Sequence, residues 1–147
     1  WIWDAVTGRK IRTLEGHKDY VLSLAFSRDG KWLVSASADQ TMKIWQAGLD
    51  REWANLPGHS SNNSAAHDLE IRPDGRLIAS LGRNGSVRLW DLDKKHDSLR
   101  KIFRFNKGVG AHHEVAFTPD GRHVVVANGN GTLWVLRLEE WSAMGSE

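Results

Sequence analysis

The chain has 147 residues, of which 40% are hydrophobic and 26% charged, the balance of a soluble globular fold rather than of a disordered tail. Its longest apolar runs, such as Val124 to Ala127, fall far short of the roughly 20 residues that a membrane-spanning helix needs. With no cysteine there is no disulfide, thiolate nucleophile or cysteine zinc site, and a formal net charge of +2 scattered over the chain argues against a nucleic-acid surface.

Along the chain the segments read as short strands. The first expected strand covers 10–14. The next two, 20–26 and 31–37, are rich in β-branched and apolar residues and meet at Asp29-Gly30, a hairpin signal. The segment 41–46 alternates Thr41 and Lys43 with Met42 and Ile44. Further strands are expected at 51–55, 66–72, 76–81 and 86–91, then at 99–105, 113–118, 122–127 and 131–137. No segment carries a 3.6-residue apolar stripe with caps at both ends.

These strands repeat. The Asp-Gly turns at Gly30, Gly75 and Gly121 lie 45 and 46 residues apart. A second series, Trp3, Trp45, Trp90 and Leu136, is spaced 42, 45 and 46. Two motif series with one period divide residues 1–138 into repeats at about 10–46, 51–91 and 99–138, followed by a tail at 139–147 that is a short helix or without fixed structure. A four-stranded sheet of this composition has two apolar faces, and stacking such sheets radially buries both. The fold expected is all-β, with propeller blades of four antiparallel strands.

Gly16-His17, Phe26 to Gly30, Ser35 to Asp39 and Ile44-Trp45 together resemble one complete WD repeat. Gly58-His59, Ile71 to Gly75, Ser80, Asn84 and Leu89-Trp90-Asp91 resemble a second, and Pro119-Asp120-Gly121 with Asn130 to Leu133 a third. The resemblance to the WD-repeat propeller family implies a hydrogen-bonded set inside each blade: His17, Ser35, Asp39 and Trp45, then His59, Ser80, Asn84 and Trp90. Histidine both donates and accepts, and indole adds a donor on a large apolar body. His17, Ser35 and Asp39 are also the residue types of a nucleophilic triad. Recurrence of the set with matching spacing fits a structural role and not a single active site, so no catalytic residue is assigned. The third repeat lacks the histidine and has Val126 and Leu136 where serine and tryptophan stood.

Other candidate chemistry is weak. His112 and His113 are neighbours on an expected strand and point to opposite faces, so they do not converge on a metal ion. Gly108-Val109-Gly110 lacks the lysine and following helix of a phosphate loop and reads as a connector, and Lys94-Lys95-His96 as a solvated charge run. No cofactor and no metal is expected.

WD repeats resemble one another in binding partners across the face built by the loops that enter the inner strands and the loops that join the middle strands. The matching positions are Lys18, Tyr20 and Ala38, then Asn63, Ala65 and Arg83, then Val109, Ala111 and Gly129. Tyrosine and arginine are the residue types of interface hot spots. The stretch from His59 to Ile71 is three residues longer than that from His17 to Phe26, and the extra residues fall in Ser60 to Ser64, on that same face. The chain is expected to supply the last two strands of one blade, two whole blades and at least three strands of another, too few to close a ring. The remaining blades are expected from the same, longer chain or from another copy.

The function expected is a non-catalytic protein-interaction scaffold in the cytoplasm, with a protein or peptide partner on the loop face and no membrane. Two alternatives are a phosphopeptide or nucleic-acid module using a basic loop face, and an enzyme with a site in the central channel. The second needs acidic or histidine residues on the inner strands, and Val21 to Phe26 offers none.

Overall fold

The computed structural model describes residues 1–48, 52–59, 65–94, 98–105 and 112–138, without the side chains of 112 and 113. It is all-β. Among the described residues thirteen strands run in chain order: β1 Ile2–Trp3, β2 Lys10–Arg12, β3 Val21–Phe26, β4 Trp32–Ser37, β5 Thr41–Gln46, β6 Glu52–Pro57, β7 Ala66–Ile71, β8 Leu77–Gly82, β9 Ser86–Asp91, β10 Leu99–Arg104, β11 His112–Phe117, β12 His123–Asn128 and β13 Leu133–Arg137. They form four antiparallel sheets, ordered β1-β2, β3-β4-β5-β6, β7-β8-β9-β10 and β11-β12-β13.

Sheets and sequence repeats are offset by one strand. β6 opens the second repeat in sequence, yet it pairs with β5, placing Met42 opposite Leu56 and Ile44 opposite Ala54. β10 closes the next sheet in the same way against β9. Each repeat thus contributes its first strand to the blade before it, which ties successive blades together by backbone hydrogen bonds.

The tight hairpins follow from local chemistry. Gly30 adopts φ 70° and its N–H reaches the Ser27 carbonyl at 2.9 Å, while the Ser27 hydroxyl donates to Asp29 at 2.7 Å. A side chain disfavours that left-handed conformation, which is why the turn recurs with glycine at positions 75 and 121.

Burial follows position in the stack. In β8 every residue is buried, because alternate side chains face different neighbours. Ile78 joins Val34, Met42, Ile44, Leu69 and Trp90 in one core, between the first and second four-stranded sheets. Leu77, Ala79 and Leu81 join Val115, Phe117, Val124 and Val126 in another, between the second and third. β12 has only alternate residues buried, and in β3 and β13 the exposed residues alternate with partly buried ones over most of the strand. Leu22, Leu24 and Phe26 of β3 and Leu133 and Val135 of β13 stay exposed, so the two outer faces of the stack are apolar.

Candidate functional site

His17 sits in the loop entering β3, and β4 and β5 present Ser35 and Trp45 to it. His17 Nε2 lies 2.7 Å from Ser35 Oγ, Nδ1 lies 2.9 Å from Asp39 Oδ2, and Trp45 Nε1 donates to Ser35 Oγ at 2.9 Å. A carboxylate only accepts, so Nδ1 carries the proton; Nε2 then accepts from Ser35, whose lone pair takes the indole N–H. Ser35 and Trp45 are both buried. Burial alone would raise the Asp39 carboxyl, but hydrogen bonds from the Thr41 hydroxyl, the Lys18 N–H and His17 outweigh it and hold it well below the usual carboxylate range.

The second blade solves the same problem without a carboxylate. His59 Nε2 is 2.9 Å from Ser80 Oγ, and Trp90 Nε1 donates to that oxygen at 2.8 Å. His59 Nδ1 meets Ser86 Oγ at 2.9 Å, and the Ser86 hydroxyl donates onward to Asn84 Oδ1 at 2.7 Å. The Asn84 side chain also hydrogen-bonds His59, so the amide and the Ser86 hydroxyl together take the place of Asp39 and Thr41. In the third blade Thr132 Oγ1 donates to Asn130 Oδ1 at 2.7 Å, while the position of the central serine is taken by buried Val126.

Thr41, Ser86 and Thr132 belong to these sets and were missed from sequence. Their signal is a hydroxyl two residues after each Asp or Asn: Asp39-Gln40-Thr41, Asn84-Gly85-Ser86 and Asn130-Gly131-Thr132.

His59 is fully buried, and burial first, then the charge of Arg88, pushes it down to about 3. Its ordinary value is 6.5, so between those two values the unfolded chain binds a proton that the folded chain does not. Stability is therefore expected to fall as pH falls through this window, by up to about 1.4 kcal/mol per pH unit from this one group. Asp39 adds a further loss only below its unfolded value near 3.8. Urea midpoints measured from neutral pH downward should decline below about pH 6.5; a flat profile down to pH 4.5 would contradict the buried neutral imidazole.

On the loop face Tyr20 is 81% exposed and Lys18 is exposed. Their backbones are fixed: the Lys18 N–H bonds Asp39, and the Tyr20 carbonyl accepts from the N–H of half-buried Ala38 at 2.8 Å. Arg83 is exposed in the matching turn of the next blade, and Gly129 is exposed in the third. Ala65, at the position matching Tyr20, pairs its carbonyl with the Arg83 N–H in the same way, and its side chain is buried. Asn63, the Ser60 to Ser64 stretch, Val109 and Ala111 lie outside the described residues, as do Lys95, His96, Gly108, Gly110 and the tail at 139–147.

The inner strands hold acidic residues that the sequence reading, centred on Val21 to Phe26, overlooked. In β7, Asp68 accepts from the Ser23 hydroxyl of β3 at 3.1 Å and from the Val115 N–H of β11 at 2.8 Å. Glu70 accepts from the Phe117 N–H. β11 is an edge strand, so these carboxylates cap N–H groups that no neighbouring strand pairs. Burial first, then the charges of Asp68 and Glu114, raise the Glu70 carboxyl despite that hydrogen bond. Both side chains are thus used to join blades. Among the described residues no three His, Asp or Glu side chains are grouped to hold a metal ion, and no helix is long and apolar enough to cross a membrane.

The family description "WD domain, G-beta repeat" matches residues 8–46 and 51–91, more than half of the chain. Apoptotic protease-activating factor 1 of Rattus norvegicus is 33% identical over 138 residues, which cover 90% of this chain and 11% of that protein. Target of rapamycin complex subunit wat1 of Schizosaccharomyces pombe is 29% identical over 87% of this chain and 38% of its own length. WD repeat and SOCS box-containing protein 1 of Danio rerio is 37% identical over 63% of this chain and 22% of its own. The chain thus spans between 11% and 38% of these relatives. Motif period, four-stranded antiparallel sheets and the matched repeats agree: this chain belongs to the WD-repeat family, whose fold generally serves as a protein-interaction scaffold.

Proposed function

We propose that this chain is a non-catalytic interaction module that offers the loop face around Lys18, Tyr20, Ala38 and Arg83 to a protein or peptide partner, as part of a larger protein. The observation that carries this reading is Tyr20, a large aromatic side chain left 81% exposed on a backbone held by its own hydrogen bonds. Such a residue binds with little ordering cost. The absence of catalysis is argued from Ser35 and Ser80. Each hydroxyl is buried and already takes an indole N–H, so neither oxygen reaches a substrate. Asn63 is retained as a candidate contact on the same face. The apolar outer faces at β3 and β13 are met by further blades, from the same chain or from another copy.

The test is affinity capture with wild type, Tyr20→Ala and Arg83→Glu, all confirmed as equally stable. Tyr20→Ala is expected to weaken capture of the wild-type partner by roughly thirtyfold, the effect of a hot-spot residue, and Arg83→Glu by roughly tenfold. A partner retained equally by both variants would place the binding surface elsewhere. Loss with Arg83→Glu alone, strongly dependent on salt, would favour the phosphopeptide reading.

A further inference from the structure

Opposite the loop face, where the hairpin turns lie, the seam between the second and third blades opens into a cleft of about 1120 Å³. Five arginines line it. Arg72 is held by Asp74 through two parallel hydrogen bonds, Nε to Oδ1 at 2.9 Å and Nη2 to Oδ2 at 2.6 Å, and Arg100 is paired with Asp91. The Arg72 stem packs so closely on the next blade that a Cβ on Gly121 would lie 3.1 Å from its Cγ. These two arginines build the walls. Arg76 and Arg122 are exposed and make no ion pair among the described residues, whereas Arg137 borders the cleft from the end of β13, on the face it shares with Leu133 and Val135. The floor is apolar, with Leu77 and Leu138 buried beneath them.

The geometry points to this cleft as a second docking site, one that takes an acidic peptide segment of a protein partner. Arg76 and Arg122 feel the charges of Asp74 and Asp120 in their own turns but are fixed to neither by an ion pair, and their guanidinium forks match carboxylates, which they bind bidentately. Asp93 and Asp120 also line the cleft. Asp120 Oδ1 already accepts from the Thr118 hydroxyl and the Arg122 N–H; these carboxylates repel any anion, but a peptide can set backbone N–H groups against their remaining oxygens, which a phosphodiester backbone cannot. The volume exceeds the range of about 300–1,000 Å³ usual for small-molecule sites, and it admits several residues of extended chain. The site goes beyond the loop-face reading and does not depend on it, because the two surfaces share no residue.

The experiment uses the whole chain and a fluorescein-labelled oligoglutamate peptide followed by anisotropy, with an oligolysine peptide and an oligothymidylate of equal charge as the other arms. Saturable binding of oligoglutamate is expected, weakened at least about thirtyfold by Arg76→Glu with Arg122→Glu, and only a few-fold by the same pair changed to lysine. Tyr20→Ala with Arg83→Glu should leave it unchanged, so failure of the loop-face reading and failure of this one are separable. All these side chains are exposed, and matched unfolding midpoints establish that the variants fold. No saturable binding by wild type, undiminished binding by the charge-reversed pair, or equal affinity for oligothymidylate would each overturn the proposal.

Discussion

Replacing Gly82 by alanine is expected to cost roughly 2–4 kcal/mol of folding stability, a large effect for one added methyl. The reason is position. A Cβ on Gly82 would lie 2.2 Å from His59 Nδ1, 2.6 Å from its Cγ and 2.8 Å from Asn84 Oδ1. The imidazole has no room to retreat, being fully buried and pinned by Ser80 on one side and Ser86 on the other. Either the ring moves and two buried hydroxyls lose their partner, or β8 shifts against a core packed on both faces. Gly75→Ala provides the contrast. Gly75 has φ 73° with nothing within 4 Å of the added carbon, so only the left-handed backbone is penalised, by about 1–2 kcal/mol. Urea unfolding of both variants should rank Gly82→Ala as the clearly more damaging; the reverse order would mean that His59 is not held where the structure places it.

Ser80→Ala is expected to be comparably severe, at roughly 2–5 kcal/mol, because one oxygen serves two buried partners. Without it His59 Nε2 and Trp90 Nε1, both in buried residues, lose these hydrogen bonds. An unsatisfied buried group costs about 1–3 kcal/mol, whereas replacing both partners of a bond by apolar groups of the same shape is nearly neutral. Trp90→Phe deletes the donor instead. It costs the lost indole volume as well, since Trp90 belongs to the core between the first and second four-stranded sheets.

What the sequence disclosed, and what it withheld, follows from the range of each interaction. The hairpins were legible because Asp29-Gly30 and its counterparts fold on themselves, within five residues, through Ser27, Asp29 and the glycine. His17, Ser35, Asp39 and Trp45 were legible through the resemblance to WD repeats, and the recurrence of the set one period later marked it as structural. The partnership of Thr41 with Asp39 was equally local, but a hydroxyl two residues after an acid is too common to attract notice singly. The offset between repeats and sheets was already in the expected tally of two, four, four and three strands, but its register was not, because the segment 52–57 has no residue that announces which positions of β5 it meets. The caps made by Asp68 and Glu70 depend on N–H groups 47 residues further along the chain, on a strand that no pattern in β7 reveals. The arginine cleft gathers Arg76, Arg122 and Arg137 from three separate segments by the same radial stacking. Contacts between blades, in short, needed the stack itself.

A double-mutant cycle on Ser80 and Trp90 tests most directly whether these polar sets pin the blades from within. If Trp90 Nε1 and Ser80 Oγ share the buried bond, Ser80→Ala and Trp90→Phe together should cost less than the sum of the two alone, by about 1–2 kcal/mol in urea unfolding. Strictly additive losses would mean that the indole and the hydroxyl act independently, and the relay at the centre of this account would not exist.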